Sequence, residues 1–145
     1  MYHGGNILPY ALHQYVVTYP AWMRTQRNLT ILVAILVAVP IEYGFRVVVS
    51  SADFGGSFLL LMTLAVGVPT AYDEYWPKYD RIRNAVAWVV AACLVVTTEF
   101  TGLYLIGTEL GTLSPSHGAI GAFLITDFGN LAWLSVRKRQ RNSAK

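Results

Sequence analysis

Four ionisable residues are set inside hydrocarbon runs: Glu42 and Arg46 in VPIEYGFRV, Glu99 in VVTTEFTG and Asp127 in LITDFGN. A carboxylate in such a place can carry a proton, bind a cation or pair with an arginine, and one guanidinium can serve two carboxylates. Glu42 and Arg46 are four residues apart, so a helix puts them on one face. Each charged residue near mid-bilayer costs about 2.5–3.5 kcal/mol on insertion scales, which predicts that all four turn away from lipid. Measured from the expected outer helix ends, Glu42, Glu99 and Asp127 lie roughly 12–14 Å deep, close to one plane. On this spacing the four residues make one intramembrane polar cluster, able to act as an ion or proton site. Three acids against one arginine leave a charge deficit to be met by protons, a bound cation or water. Glu99 and Asp127 are the acids without a guaranteed cation.

Other chemistry is not signalled. The chain has no glycine-rich phosphate loop, no HExxH and no GxSxG. His3, His13 and His117 are scattered, and His117 has no acid or oxyanion motif beside it in sequence, so Ser114, Ser116 and His117 read as turn chemistry. Cys93 is the only cysteine, which excludes an intramolecular disulfide and a cysteine-rich metal site. No catalytic residue, metal site or cofactor is expected, and the chain reads as a non-enzyme.

The elements that position the four residues follow from hydropathy. With 54% hydrophobic and 13% charged residues and a mean hydropathy of +0.44, the chain is too apolar for a soluble domain of its length. Runs at 29–50, 57–76, 84–107 and 118–136 each reach the ~20 residues with which a helix crosses a bilayer core. A soluble bundle would show a polar stripe on each helix, and these runs have almost none. Connections of about 6 to 10 residues make consecutive helices antiparallel neighbours. The expected fold is an all-α integral membrane protein: an up-down-up-down bundle of four transmembrane helices over 29–136. Residues 1–28 form an aromatic-rich segment whose Tyr2, Tyr10, Tyr15, Tyr19 and Trp22 suit the headgroup level, with a short interfacial helix over Leu8 to Val17. Residues 137–145 form a basic tail.

In the fourth run Gly118, Ala122, Thr126 and Asn130 recur every four residues, a small-residue stripe for close helix packing with Asp127 beside it. Ala87, Ala91, Thr98 and Gly102 offer the same on the third. On the second, Thr63, Ala65, Gly67 and Pro69 leave room at the depth of the acids. Orientation follows from positive charge. Arg24 and Arg27 precede the first run, Lys78, Arg81 and Arg83 lie between the second and third, and Arg137, Lys138, Arg139, Arg141 and Lys145 follow the fourth. Of the eleven basic residues only Arg46 is missing from that side, and the loops SSADFGG and TELGTLSPSH hold none. Cytoplasmic loops are the lysine- and arginine-rich ones, which puts both termini in the cytoplasm of a multi-pass membrane protein. Arg137, Lys138, Arg139 and Arg141 then contact the anionic inner leaflet, at about 1 kcal/mol for each basic residue near the surface. That accounts for a pI near 9.1 without nucleic acid. Asp73, Glu74 and Asp80 are placed to pair with Lys78, Arg81 or Arg83 within a belt of Tyr72, Tyr75, Trp76 and Tyr79.

Two classes of function fit. Small size and short loops leave little room for a substrate pathway, which favours a non-catalytic structural or accessory membrane component in which the polar cluster locks helices together. The alternative is a small proton- or cation-coupled transporter or channel that uses the intramembrane carboxylates. The expected partners are the lipid bilayer and either a second copy of the chain or another membrane protein. Orientation is testable in a Cys93-free background. Ser116→Cys should react with a membrane-impermeant thiol reagent applied from outside intact cells and Ser143→Cys should not; the opposite pattern would show the topology to be inverted.

Overall fold

The computed structural model describes residues 26–75 and 81–143, and those residues are all-helical, with no strand among them. They form four helices, α1 Gln26–Val48, α2 Phe54–Tyr75, α3 Ile82–Leu110 and α4 Pro115–Ser143, each long and apolar enough to cross a membrane. These are the features of a multi-pass membrane protein. The interfacial helix expected over Leu8 to Val17 lies outside the described residues.

Helix ends are set by capping more than by hydropathy. The Asp53 carboxylate accepts the Gly56 N–H at 2.7 Å, so α2 starts ahead of its apolar run. Pro115 takes the first helical position of α4, where its missing N–H costs nothing, and Ser114 Oγ meets His117 Nδ1 at 2.6 Å across the first turn. At its other end α4 continues through the basic stretch to Ser143. Arginine, lysine and glutamine are good helix formers, so nothing there stops the helix.

The helices pack as a diamond. α1 rests on α2 and α3, α4 rests on α2 and α3, and α1 and α4 occupy the far corners without packing substantially on each other. α2 and α3, consecutive in the chain, meet more sparsely than the other neighbours. Interfaces are built on small residues, because lipid is as apolar as leucine and only close van der Waals packing draws such helices together. α1 buries Thr30, Ala34 and Ala38, and α4 buries Gly118, Ala119, Ala122 and Thr126. On α3 the buried stripe is Ala85, Val89 and Cys93. Ala87 and Ala91 are exposed instead, since two residues along is more than half a turn round the helix.

Aromatic bulk is concentrated near one end. The Phe45 ring meets Phe100 edge-on at 6.0 Å and Tyr104 at 5.4 Å. Tyr104, fully buried, donates its hydroxyl to Ser51 O at 2.6 Å, and Ser116 Oγ donates to Asp53 Oδ2 at 3.0 Å, joining the α1–α2 loop to α3 and α4. The other end is tied by Gln26 Nε2 to Tyr72 Oη at 3.1 Å, Arg27 to Asp73 at 3.4 Å, Ser135 Oγ to Tyr75 Oη at 3.3 Å and Lys138 Nζ to Glu74 O at 3.2 Å. Asp73 therefore takes a cation from the start of α1. Lys78 and Asp80 lie outside the described residues, and Arg81 and Arg83 are exposed.

Tyr104→Phe keeps the ring and removes one hydrogen bond, so unfolding free energy in mixed micelles should fall by about 0.5–1.5 kcal/mol. Gly118→Val should lose more, because a Cβ at 118 falls 2.7 Å from Thr108 Cγ2. Wild-type stability in Gly118→Val would contradict the close approach of α3 and α4.

Candidate functional site

The central feature of the site is a widened turn in α2. Residues Thr63–Gly67 form a π turn, in which the Val68 N–H reaches back to Thr63 O. Pro69 is the cause to hand: it has no N–H to donate, and its ring crowds the carbonyl of Ala65 one turn earlier, a clash that an extra residue in the turn relieves. The widened turn places Thr63 and Gly67 against α4. A Cβ on Gly67 would lie 3.2 Å from Asp127 Oδ1, so the bare backbone makes room for that carboxyl group. Thr63 is 2% exposed, donates its hydroxyl to Leu59 O at 3.0 Å and stands in hydrogen-bonding contact with Asp127. Beside Asp127, Thr126 is fully buried, and its Oγ1 has no hydrogen-bond partner among the described residues.

One turn further along α4, Asn130 Nδ2 donates to Glu99 Oε2 at 2.8 Å. α4 thus carries two polar ties, one to α2 through Asp127 and one to α3 through Asn130. Between them opens a cavity of about 610 Å³, bounded by α2, α3 and α4, with Thr63, Gly67, Trp88, Phe123, Asp127 and Trp133 on its wall. It exists because α2 and α3 meet sparsely. Trp88 leans on Tyr72 of α2, ring centroids 5.1 Å apart, and props the two helices. The Arg137 guanidinium lies over the Trp133 ring, 5.2 Å from its centroid. A second cavity of about 390 Å³, between α1 and α2, contains the Arg27–Asp73 pair and so holds its own counter-charge.

Glu42 and Arg46 are placed elsewhere. They form an ion pair along α1, with the Glu42 side chain 17% exposed and that of Arg46 47% exposed. The Arg46 guanidinium lies 5.7 Å from the Phe54 ring centroid at the start of α2. Because α1 stops at Val48, Arg46 is roughly 3 Å of helix rise from its end and Glu42 roughly 9 Å. Glu99 is roughly 16 Å from the end of α3 and Asp127 roughly 18 Å from the start of α4. These helix ends are not level, since Phe45 of α1 meets Phe100 and Tyr104 of α3, which puts Glu42 at about the depth of Glu99; the three acids keep roughly one level, and what sets Glu42 apart is that α1 does not pack substantially on α4. Among the described residues no ion pair or hydrogen bond joins Glu42 or Arg46 to Glu99 or Asp127, and no three His, Cys, Asp or Glu residues are grouped to hold a metal.

The remaining residues singled out by sequence have simpler surroundings. Gly118, Ala122 and Thr126 are buried on α4, and Asn130 is half-buried. Lys138 lies over the Tyr75 ring at 5.4 Å, while Arg139 and Arg141 are exposed. At the opposite end Ser114 holds His117 and Ser116 holds Asp53, two separate exposed pairs rather than a proton relay. Trp88 and Trp133 were not expected on the wall of a site; their only sequence signal is tryptophan near the end of an apolar run, which reads equally as interface anchoring. Comparison with protein-family models, curated proteins and solved structures finds no match to this chain.

The α1 ion pair can be tested by a cycle. Arg46→Met leaves the mostly buried Glu42 without its cation and should lower detergent stability more than Arg46→Met with Glu42→Gln. Strictly additive losses would count against the pair.

Proposed function

We propose that this chain is a small proton- or cation-coupled membrane transporter or channel whose working group is Asp127, built as an up-down-up-down four-helix bundle with both termini cytoplasmic. The observation that carries this reading is the setting of Asp127. Its carboxyl group lies on the wall of a cavity of about 610 Å³, with a hydrogen-bonding partner in Thr63 and no ion pair among the described residues. Small size and short loops favour a purely structural role only while the bundle offers no space for a ligand, and the cleft between α2, α3 and α4 supplies it.

The chemistry follows from one hydroxyl. Thr63 has a single hydroxyl hydrogen, and it goes to Leu59 O. The same hydroxyl stands against the Asp127 carboxyl group, so its oxygen can accept from a proton held there and its hydrogen can turn to the bare carboxylate. A cation arriving at the carboxylate takes that proton's place, so one group serves both in turn, and the exchange couples their movements. Glu42 is less suited to this role because Arg46 already neutralises it. The one-sided distribution of Lys and Arg supports cytoplasmic termini.

A structural or accessory role, non-catalytic and dependent on a membrane partner or a second copy, is the second reading. The Asn130–Glu99 bond favours it, since it ties α3 to α4 with no ligand involved. Liposomes separate the two. The wild-type protein should carry a proton or cation flux that falls to background in Asp127→Asn, with folding verified by size-exclusion profile. If folded wild type gives no flux across a range of pH and cations, and Asp127→Asn and Glu99→Gln alter only stability, the structural reading replaces this one.

A further inference from the structure

Resting on the transport reading above, we infer that the ligand of the Asp127 cavity is a hydrophobic organic monocation, with its charge at Asp127 and its hydrocarbon body between Trp88, Phe123 and Trp133. A metal ion stripped of water needs oxygen atoms on most sides. Here the oxygens of Asp127 and Thr63 meet at one place on the wall, and nearly all the rest is hydrocarbon. A cavity of about 610 Å³ has the size of an organic ligand site, many times that of a bare ion.

Charge selects the sign of the ligand. Asp127 has no ion pair among the described residues, so a cation completes the site, whereas an anion of equal size would meet a carboxylate. Aromatic faces add to the preference, because the ring quadrupole attracts cations. The chain already shows this at the rim, where Arg137 lies 5.2 Å from the Trp133 centroid. Lys138, the neighbouring cation, is turned to Tyr75. Phe128 and Trp133 are 64% and 58% exposed, so the lining reaches the outer face of the bundle, and an apolar ligand can approach through lipid. Binding involves no covalent step. One cation enters, and a proton held on Asp127 leaves to solvent.

Equilibrium binding to the full chain in detergent tests this, with tetraphenylphosphonium as probe and tetraphenylborate as an anion of nearly identical shape. The wild-type protein should bind the phosphonium with release of protons, should bind the borate at least about tenfold more weakly, and should lose phosphonium binding in Asp127→Asn. The wild-type comparison of the two ions does not depend on how the variant folds. Equal binding of both ions would overturn the proposal and leave an apolar groove filled by lipid chains. If the phosphonium does not bind but liposomes still show Asp127-dependent proton or sodium flux, the ligand class is wrong and the transport reading stands. If the phosphonium binds through Asp127 and no flux of any cation is found, the ligand class stands and the transport reading fails.

Discussion

A polar atom inside hydrocarbon has no water to satisfy it, and the arrangement of this bundle depends on how each such atom is answered. The simplest answer is local. Thr63, Thr70, Thr97, Thr98, Thr108 and Ser135 each donate a hydroxyl hydrogen to the carbonyl four residues back, at 2.6 to 3.0 Å. Hydroxyls can therefore sit on any helix face without a partner helix. Carboxylates and amides cannot be satisfied this way. Glu42 takes Arg46 within α1, Glu99 takes Asn130 from the next helix, and Asp127 meets Thr63 across from α4 to α2. Of these acids, Asp127 is the one on the wall of the large cavity.

Packing sets where those answers are available. In lipid, helices associate through close contact of small residues, and Ala34, Ala38, Ala85, Ala119 and Ala122 mark where backbones approach. The contacts hold α1 and α4 at the far corners of a diamond. An acid on α1 consequently has no route to an acid on α4, and Glu42 needs its own cation. Along the short diagonal α2 and α3 meet sparsely, with Trp88 of α3 against Tyr72 of α2, and space remains. Rigid small-residue seams on two sides and an aromatic-walled cleft on the third are consequences of the same rule applied to different side chains.

The π turn links local chemistry to the cleft. Pro69 disturbs the backbone one turn back, the extra residue in that turn re-aims Thr63, and Gly67 leaves the gap that the Asp127 carboxyl group fills. None of the three residues is polar enough to announce a site. Together they hold one carboxyl group at the edge of an apolar space.

The sequence by itself determined the class of the molecule. Four apolar runs predicted four membrane-length helices, and they are present, because the length needed to cross hydrocarbon and the demand that every backbone group be bonded act on each segment separately. It also singled out Asp127 among four intramembrane charges, and Thr63 and Gly67 among the small residues of the second run, since residue size and hydropathy are local properties; that Thr63 and Gly67 meet Asp127 came from the packing. Helix ends were less legible: the Asp53 cap and Pro115 mark where α2 and α4 begin, and such a signal is weaker than a hydrophobic boundary when both are read from composition. What only the tertiary structure decided was which polar residues share a space. Depth along a helix can be counted from sequence, but rotation about its axis and choice of neighbour cannot. Three acids at about one depth therefore separate into an ion pair on α1 and two ties on α4, because α1 packs against α2 and α3 and α4 lies at the opposite corner.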